Sequence, residues 1–202
     1  MPKRTFFNLP ETKREKIIDA AVEEFAAYPY NRASVGRIIK RSGIACGSFY
    51  QYFSGKMDLF RYIIELIGEK KMAFMKPFMG HIEDLGFFQM IREIYLAGIS
   101  FIKENPQLDA IGNNLIKDRE LTEKVMGEQQ PRGIKIFEEM LRKGVETGDI
   151  NPELDLEITA FFMFKIGLSL GELFYQDNRV DQKDMVFVDR MLDFIKNGIK
   201  KR

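Results

Sequence analysis

Apolar residues recur along this chain at spacings of three and four, and no segment alternates with the two-residue period of a half-buried strand. The stretch "TKREKIIDAAVEEFAAY" sets Ile17, Ile18, Ala21, Val22 and Phe25 on one face of a helix. Thr12 and Glu15 have capping-box spacing, which predicts a start near Thr12, and Tyr28-Pro29 with Asn31 ends the helix, because a residue before proline avoids helical angles. A second helix is predicted from about Ser34, its N-cap, to Ser42, with Val35, Ile38 and Ile39 inward and Arg37, Lys40 and Arg41 outward; Gly43 stops it. A third, short helix spans about 45–52. A fourth runs from Lys56, capped by Ser54 or Gly55, to beyond Lys71 with Leu59, Phe60, Ile63, Ile64 and Ile67 apolar. Pro77 and Gly80 mark a break. Further helices are predicted at about 84–104, 107–116, 119–147 (interrupted near Pro131), 152–176 and 182–200, with Asn151 capping the penultimate one and Pro152 in its first position. The pattern is that of an all-α protein.

Composition refines this picture in two places. The 202 residues, 30% charged and 45% hydrophobic, suit a globular chain with one sizeable core or a small head on a larger body. The net charge of +1 conceals an asymmetry: residues 1–71 carry 13 Lys/Arg against 8 Asp/Glu, a net of +5, and the remainder is net −4. A basic amino-terminal module points toward nucleic acid or an anionic surface, although ordinary scatter of charge explains the same count equally well. The single cysteine, Cys46, excludes an internal disulfide and a cysteine-cluster metal site and fits a cytoplasmic chain. The first residues are too polar for a secretory signal, and the apolar stretch "ITAFFMFKIGLSLGELF" contains Lys165 and Glu172, so it reads as a buried helix rather than a membrane span. His81 is the only histidine and is expected in an exposed loop. No nucleophile–base pair, metal cluster or phosphate loop stands out, so the residues support neither an enzyme nor a bound cofactor.

The candidate chemistry lies in "SGIACGSFYQYFSGK", Ser42 to Lys56. Two helices joined by a tight glycine-containing turn, the second very short, describe a helix-turn-helix. A helix that enters a major groove about 12 Å wide has to be slim where it enters. Gly47 lets the backbone come close to DNA, Ser48 and Gln51 donate or accept hydrogen bonds, and Tyr50, Tyr52 and Lys56 supply phosphate contacts that set register. Ile44, Phe49 and Phe53 pin the helix to its own core. Taken one at a time, these residues have plainer explanations: tyrosines as amphipathic packing, Lys56 as a solvated lysine, Cys46 as a small inert filler.

As a set, "SVGRIIKRSGIACGSFYQYFSGKMDLF" resembles the helix-turn-helix signature of TetR-family transcriptional regulators. Gly43, Gly47, Ser48, Phe49, Tyr50, Tyr52, Phe53, Lys56 and Leu59 fill its places, and "IIDAAVEEFAAYPYNRASV" resembles the family's first helix, with Ala21 and Phe25 at usual positions. The match covers about the first 60 residues. Cys46 stands where a basic or small polar residue is frequent, Tyr52 where His is common, and Tyr28-Pro29-Tyr30 replaces a glycine-containing turn. Arg37 stands where an acidic residue is common, so Ser34 lacks a capping-box partner and a cation is placed near the DNA backbone. The resemblance implies that Ser34, Arg37 and Cys46 join Gly47, Ser48, Tyr50, Gln51, Tyr52 and Lys56 at the DNA.

It also implies a DNA-binding domain over 1–55 and an effector-binding and dimerisation domain over 56–202. The latter is rich in Phe and Met, which suits an adaptable apolar pocket; Phe74, Phe78, Met90, Ile94, Phe101, Phe137 and Phe164 are its expected lining. Gly167, Ser169 and Gly171 place small residues along one helix, and with the resemblance they put a two-fold interface on the last two helices, at Phe161, Gly167, Leu170, Gly171, Phe174, Met191 and Ile195. The function implied is a dimeric repressor that binds a palindromic operator in double-stranded DNA and is released by a small, largely apolar effector, with the helix from Lys56 to Lys71 as lever and Gly68 and the Pro77 break permitting its movement. The rival is a helical small-molecule-binding or nucleoid-associated scaffold protein without operator-specific regulation.

Overall fold

The computed structural model describes residues 1–79, 85–127, 130–174 and 182–199, with the side chains of all but 78–79, 130–132, 168–174 and 182–184. Among the described residues there are eleven helices and no strand. They divide into two compact units, Met1–Lys71 with Asn105–Val125, and Met72–Glu104 with Met126–Arg202.

The first unit contains α1 (Arg4–Phe7), α2 (Glu11–Ala27), α3 (Val35–Ser42), α4 (Cys46–Tyr52), most of α5 (Lys56–Met79), α7 (Pro106–Ile116) and nearly all of α8 (Arg119–Met126). Its interior is aromatic and branched: Phe6, Ile17, Phe25, Ile38, Phe49, Phe53, Leu59 and Ile63 are essentially without solvent exposure. Phe25 meets Phe60 edge-on at 4.9 Å, and Phe6 lies 4.9 Å from Phe53. This unit runs on to Lys71 and includes 105–125, because α7 packs against α2 and Ile111, Leu115, Leu121 and Val125 are buried.

The second unit contains the end of α5, α6 (Phe87–Glu104), α9 (Gln130–Glu146), α10 (Leu156–Phe174) and α11 (Gln182–Ile199). Phe87, Ile91, Leu141, Ile150, Ala160, Met163 and Val188 form its core. α9 packs on α10 and α6, and α6 packs on α11, where Arg92 Nε donates to Asp189 Oδ1 at 2.9 Å.

Several boundaries differ from the sequence expectation. α1 was not anticipated: four residues are too few to show a period. α2 begins one residue before Thr12, with Pro10 at its N-cap, where the Pro10 carbonyl accepts from the Lys13 and Arg14 amides. Pro77 lies inside the last turn of α5, which continues to Met79; a missing amide near a helix end removes only one bond. α10 begins at Leu156, not at Pro152. Asn151 Oδ1 accepts from the Glu153 amide at 3.1 Å in a turn, and Asp155 caps the helix by accepting from the Ile158 amide at 3.0 Å. His81 lies outside the described residues.

Candidate nucleic-acid interface

Ser34 caps α3 by accepting from the Arg37 amide at 3.4 Å, and Gly43 closes it in the left-handed region at φ 69°, the conformation that a glycine stop provides. The chain then turns and enters α4 at Cys46. Ile44, Phe49 and Phe53 are buried and hold the inner side of this short helix. On its outer side Cys46, Gly47, Tyr50 and Gln51 are exposed and Ser48 is half-buried. Tyr50 stands 54% exposed, its ring perpendicular to Phe49 at 5.2 Å. A Cβ at Gly47 would meet nothing within 4 Å, so packing inside the chain does not require the glycine. What its smallness leaves open is the space outside the helix.

Three of the nine residues expected at DNA have partners within the chain. Tyr52 is only 6% exposed, with its ring 6.3 Å from that of Phe6, and so belongs to the core rather than to an open surface. Lys56 points its ammonium into the loop between α2 and α3, donating to the Tyr30 carbonyl at 2.7 Å and the Ala33 carbonyl at 2.9 Å, over the Tyr30 ring at 4.5 Å. It ties that loop to the start of α5. Arg37 donates from Nε and Nη2 to the Glu24 carboxylate at 2.5–3.0 Å and from Nη2 to the Arg32 carbonyl at 2.9 Å, and stacks on Tyr28 at 4.3 Å.

Glu24 itself went unremarked in the sequence. It is fully buried, and its Oε1 also accepts from the Ser34 amide at 2.7 Å. Burial pushes its pKa up, but the Arg37 hydrogen bonds, the Ser34 amide and the charges of Arg37 and Arg41 outweigh that and hold it below the usual carboxylate range. An acidic residue amid apolar neighbours at helical spacing was the available signal.

Within the second unit, Phe74 and Phe101 meet edge-on at 5.5 Å, and Phe137 and Phe164 at 6.4 Å. Met90 belongs to the core, and Ile94 and Phe137 pack partly buried against it. The side chain of Phe78 lies outside those described. Tyr95, on α6, was not anticipated. Its hydroxyl is buried without a hydrogen-bond partner, and burial raises its pKa to about 12. Gly167 backs onto this ring: a Cβ there would stand 3.7 Å from it. That is an ordinary van der Waals distance, so the Tyr95 ring leaves room for a side chain at Gly167. Ile195 is 6% exposed, covered by its own chain. Phe161 is 42% exposed and Met191 partly buried. The side chains of Leu170, Gly171 and Phe174 lie outside those described.

Among the described residues no group of His, Cys, Asp or Glu could hold a metal ion, and no helix is long and apolar enough to cross a membrane. A family model for bacterial regulatory proteins of the tetR family matches residues 17–63. A fatty acid metabolism regulator protein of Bacillus subtilis (strain 168) is 29% identical over 159 residues, 75% of this chain and 78% of its own. A TetR-family transcriptional regulator from Chloroflexus aurantiacus J-10-FL superposes with a TM-score of 0.71 at 29% identity, covering 100% of both chains. The transcriptional regulator FadR from Bacillus subtilis, solved in complex with stearoyl-CoA, has a TM-score of 0.73 at 23% identity and covers 92% of this chain and 98% of its own.

Proposed function

We propose that this chain is a TetR-family transcriptional regulator and, as such, a homodimeric repressor of a palindromic operator, released by a small, largely apolar effector. The observation that carries the DNA reading is the outer side of α4: Gly47 opens onto space, Tyr50 and Gln51 stand exposed, and Phe49 is fully buried behind them. Ser48 and Gln51 address base edges, and Tyr50 addresses a phosphate. In the dimer two copies of α4 lie about 34–36 Å apart, one turn of the duplex, and enter successive major grooves.

The effector reading rests on the second unit. Aromatic pairs at Phe74–Phe101 and Phe137–Phe164 supply apolar surface, and the Tyr95 hydroxyl, kept protonated, supplies a donor. A relative concerned with fatty acid metabolism and a similar fold holding stearoyl-CoA favour an acyl chain as the apolar part. An effector bound more tightly by the DNA-incompetent state lowers DNA affinity, and DNA lowers effector affinity by the same factor, typically about 1–3 kcal/mol.

The test is binding to duplexes selected by the protein from a random-sequence pool. Tyr50→Ala is expected to weaken binding about tenfold with the melting temperature unchanged, as an exposed residue losing a phosphate contact should. A scaffold protein would instead bind all duplexes equally and weakly, with a steep salt dependence and no selected palindrome.

A further inference from the structure

Helix α4 is poorly equipped to stand alone. It has seven residues, no side-chain cap at its start, no acidic residue in its first turn and no basic residue in its last. Gly47 lies within it, and a helix this short does not persist in water on its own propensity. Its last four carbonyls, those of residues 49–52, have no partner further along the helix, as at every helix end. The Phe49 carbonyl accepts from the amide of Phe53, just past the end. The other three are served from a distant part of the sequence. The Lys3 ammonium donates to the Tyr50 carbonyl at 2.8 Å, the Thr5 hydroxyl donates to the Gln51 carbonyl, and the Lys3 amide donates to the Tyr52 carbonyl at 2.8 Å.

Three consecutive carbonyls are thus capped by two residues of one strap. The Lys3 ammonium also puts a positive charge at the negative end of the helix dipole. The strap is anchored rather than draped. Phe6 is fully buried, with ring centroids 4.9 Å from Phe53 and 5.5 Å from Tyr62 of α5. Arg14 of α2 donates to the Phe7 carbonyl at 3.1 Å. Two of the three residues whose carbonyls are held, Tyr50 and Gln51, have exposed side chains beside Gly47.

We propose that residues 3–6 are a positioning element for DNA recognition: Lys3 and Thr5 cap the carboxyl end of α4 and fix Tyr50 and Gln51 in the orientation that enters the groove. Neither residue needs to touch DNA to do this. The proposal rests on the reading of α4 as the groove-entering helix, but half of it is open to measurement without DNA.

The experiment uses the full chain with Thr5→Val, which keeps shape and charge and removes only the hydroxyl donor, and with Thr5→Ser, which restores it. In the protein without DNA, amide hydrogen exchange across residues 49–53 is expected to quicken about fivefold in Thr5→Val, the equivalent of one ordinary hydrogen bond, with α2 and α10 unaffected and Thr5→Ser like the wild type. On duplex selected by the wild-type protein, Thr5→Val is expected to lose about fivefold in affinity. Binding to random duplex and the slope of affinity against salt should not change, because no phosphate contact is removed.

Wild-type exchange at 49–53 in Thr5→Val overturns the capping role, as does a general rise in exchange that Thr5→Ser does not reverse. Faster exchange with undiminished selected-duplex affinity overturns the link to recognition. Should Thr5→Val not fold, Lys3→Met serves in its place. An unchanged salt slope with faster exchange at 49–53 supports capping, and a slope smaller by about one identifies Lys3 as a phosphate ligand and overturns the proposal. Failure of the wild-type protein to select any duplex refutes the DNA reading while leaving the exchange result standing.

Discussion

Glu24, a single buried side chain on α2, ties α2 to α3. A buried carboxylate is costly unless its charge is matched and its lone pairs are used. Here the Ser34 amide, which opens α3, and the Arg37 guanidinium, which lies on α3, both donate to it. Arg37, whose side chain stays 45% exposed, is paired with a carboxylate on α2. Glu24→Ala leaves the Ser34 amide and Arg37 without their acceptor and is expected to lower unfolding free energy by about 2–3 kcal/mol, the range for hydrogen bonds to a charged group, measured by urea denaturation at pH 7. The same carboxylate sets a pH response. Its pKa is depressed in the folded state, so the unfolded chain binds the proton more readily. The stability it contributes is present above the ordinary carboxylate pKa near 4.5 and is lost as pH falls through the lower folded value. The gap between wild type and Glu24→Gln should accordingly narrow as urea titrations are moved from pH 7 toward pH 3.

At the scale of elements, glycine decides how closely helices meet. Gly144, on α9, is buried, and a Cβ there would stand 2.7 Å from Ile150 Cγ1 and 3.0 Å from the Phe87 ring, both core side chains without room to retreat. Gly144→Ala should therefore destabilise the second unit by about 1–3 kcal/mol despite the better helix propensity of alanine, and differential scanning calorimetry should show the loss. At Gly47, where nothing lies within 4 Å, the same substitution has no such packing cost. Which glycine is which cannot be read from the sequence, since both sit in helical patterns. What can be read is periodicity. The spacing of Ile17, Ala21 and Phe25, of Val35, Ile38 and Ile39, and of Leu59, Phe60 and Ile63 gives α2, α3 and α5 their positions, and Gly43 gives the turn before α4. The short strap α1 has no period to show, and its function lies in contacts nearly fifty residues away. The start of α10 was misplaced because Asn151-Pro152 and Asp155 both carry start signals, and packing chose the second. For the site, the exposed residues of α4 were legible from type and spacing; the partners that Lys56, Arg37 and Tyr52 find within the chain were not, because they are brought near only by folding.

On the scale of the whole molecule, the second unit leaves unusually bulky apolar side chains in water. On α10, Ile158, Phe161 and Phe162 are 55%, 42% and 58% exposed; on α11, Val186, Phe187 and Phe194 are 51%, 41% and 76% exposed. Scattered apolar residues are ordinary on a surface, but a concentration of phenylalanines on the last two helices favours burial against a second copy. A two-fold axis uses one such surface twice, each residue of one protomer meeting its counterpart's neighbourhood on the other, so a charge introduced at one position is introduced twice and desolvated twice. Phe162→Asp and Phe194→Asp are accordingly expected to convert a dimer into a monomer in sedimentation velocity. Both sites are exposed within the chain, so the helical circular dichroism should persist. On the proposed function a monomer, which still carries one α4, should bind a half-site but lose the gain from tethering the second, commonly about 10²–10⁴-fold. Affinity for the palindrome should thus fall by at least about a hundredfold while affinity for an isolated half-site stays as it was. A wild-type protein that sediments as a monomer, or variants that bind the palindrome as tightly as the wild type, would show that these helices do not bring the two DNA-binding heads together.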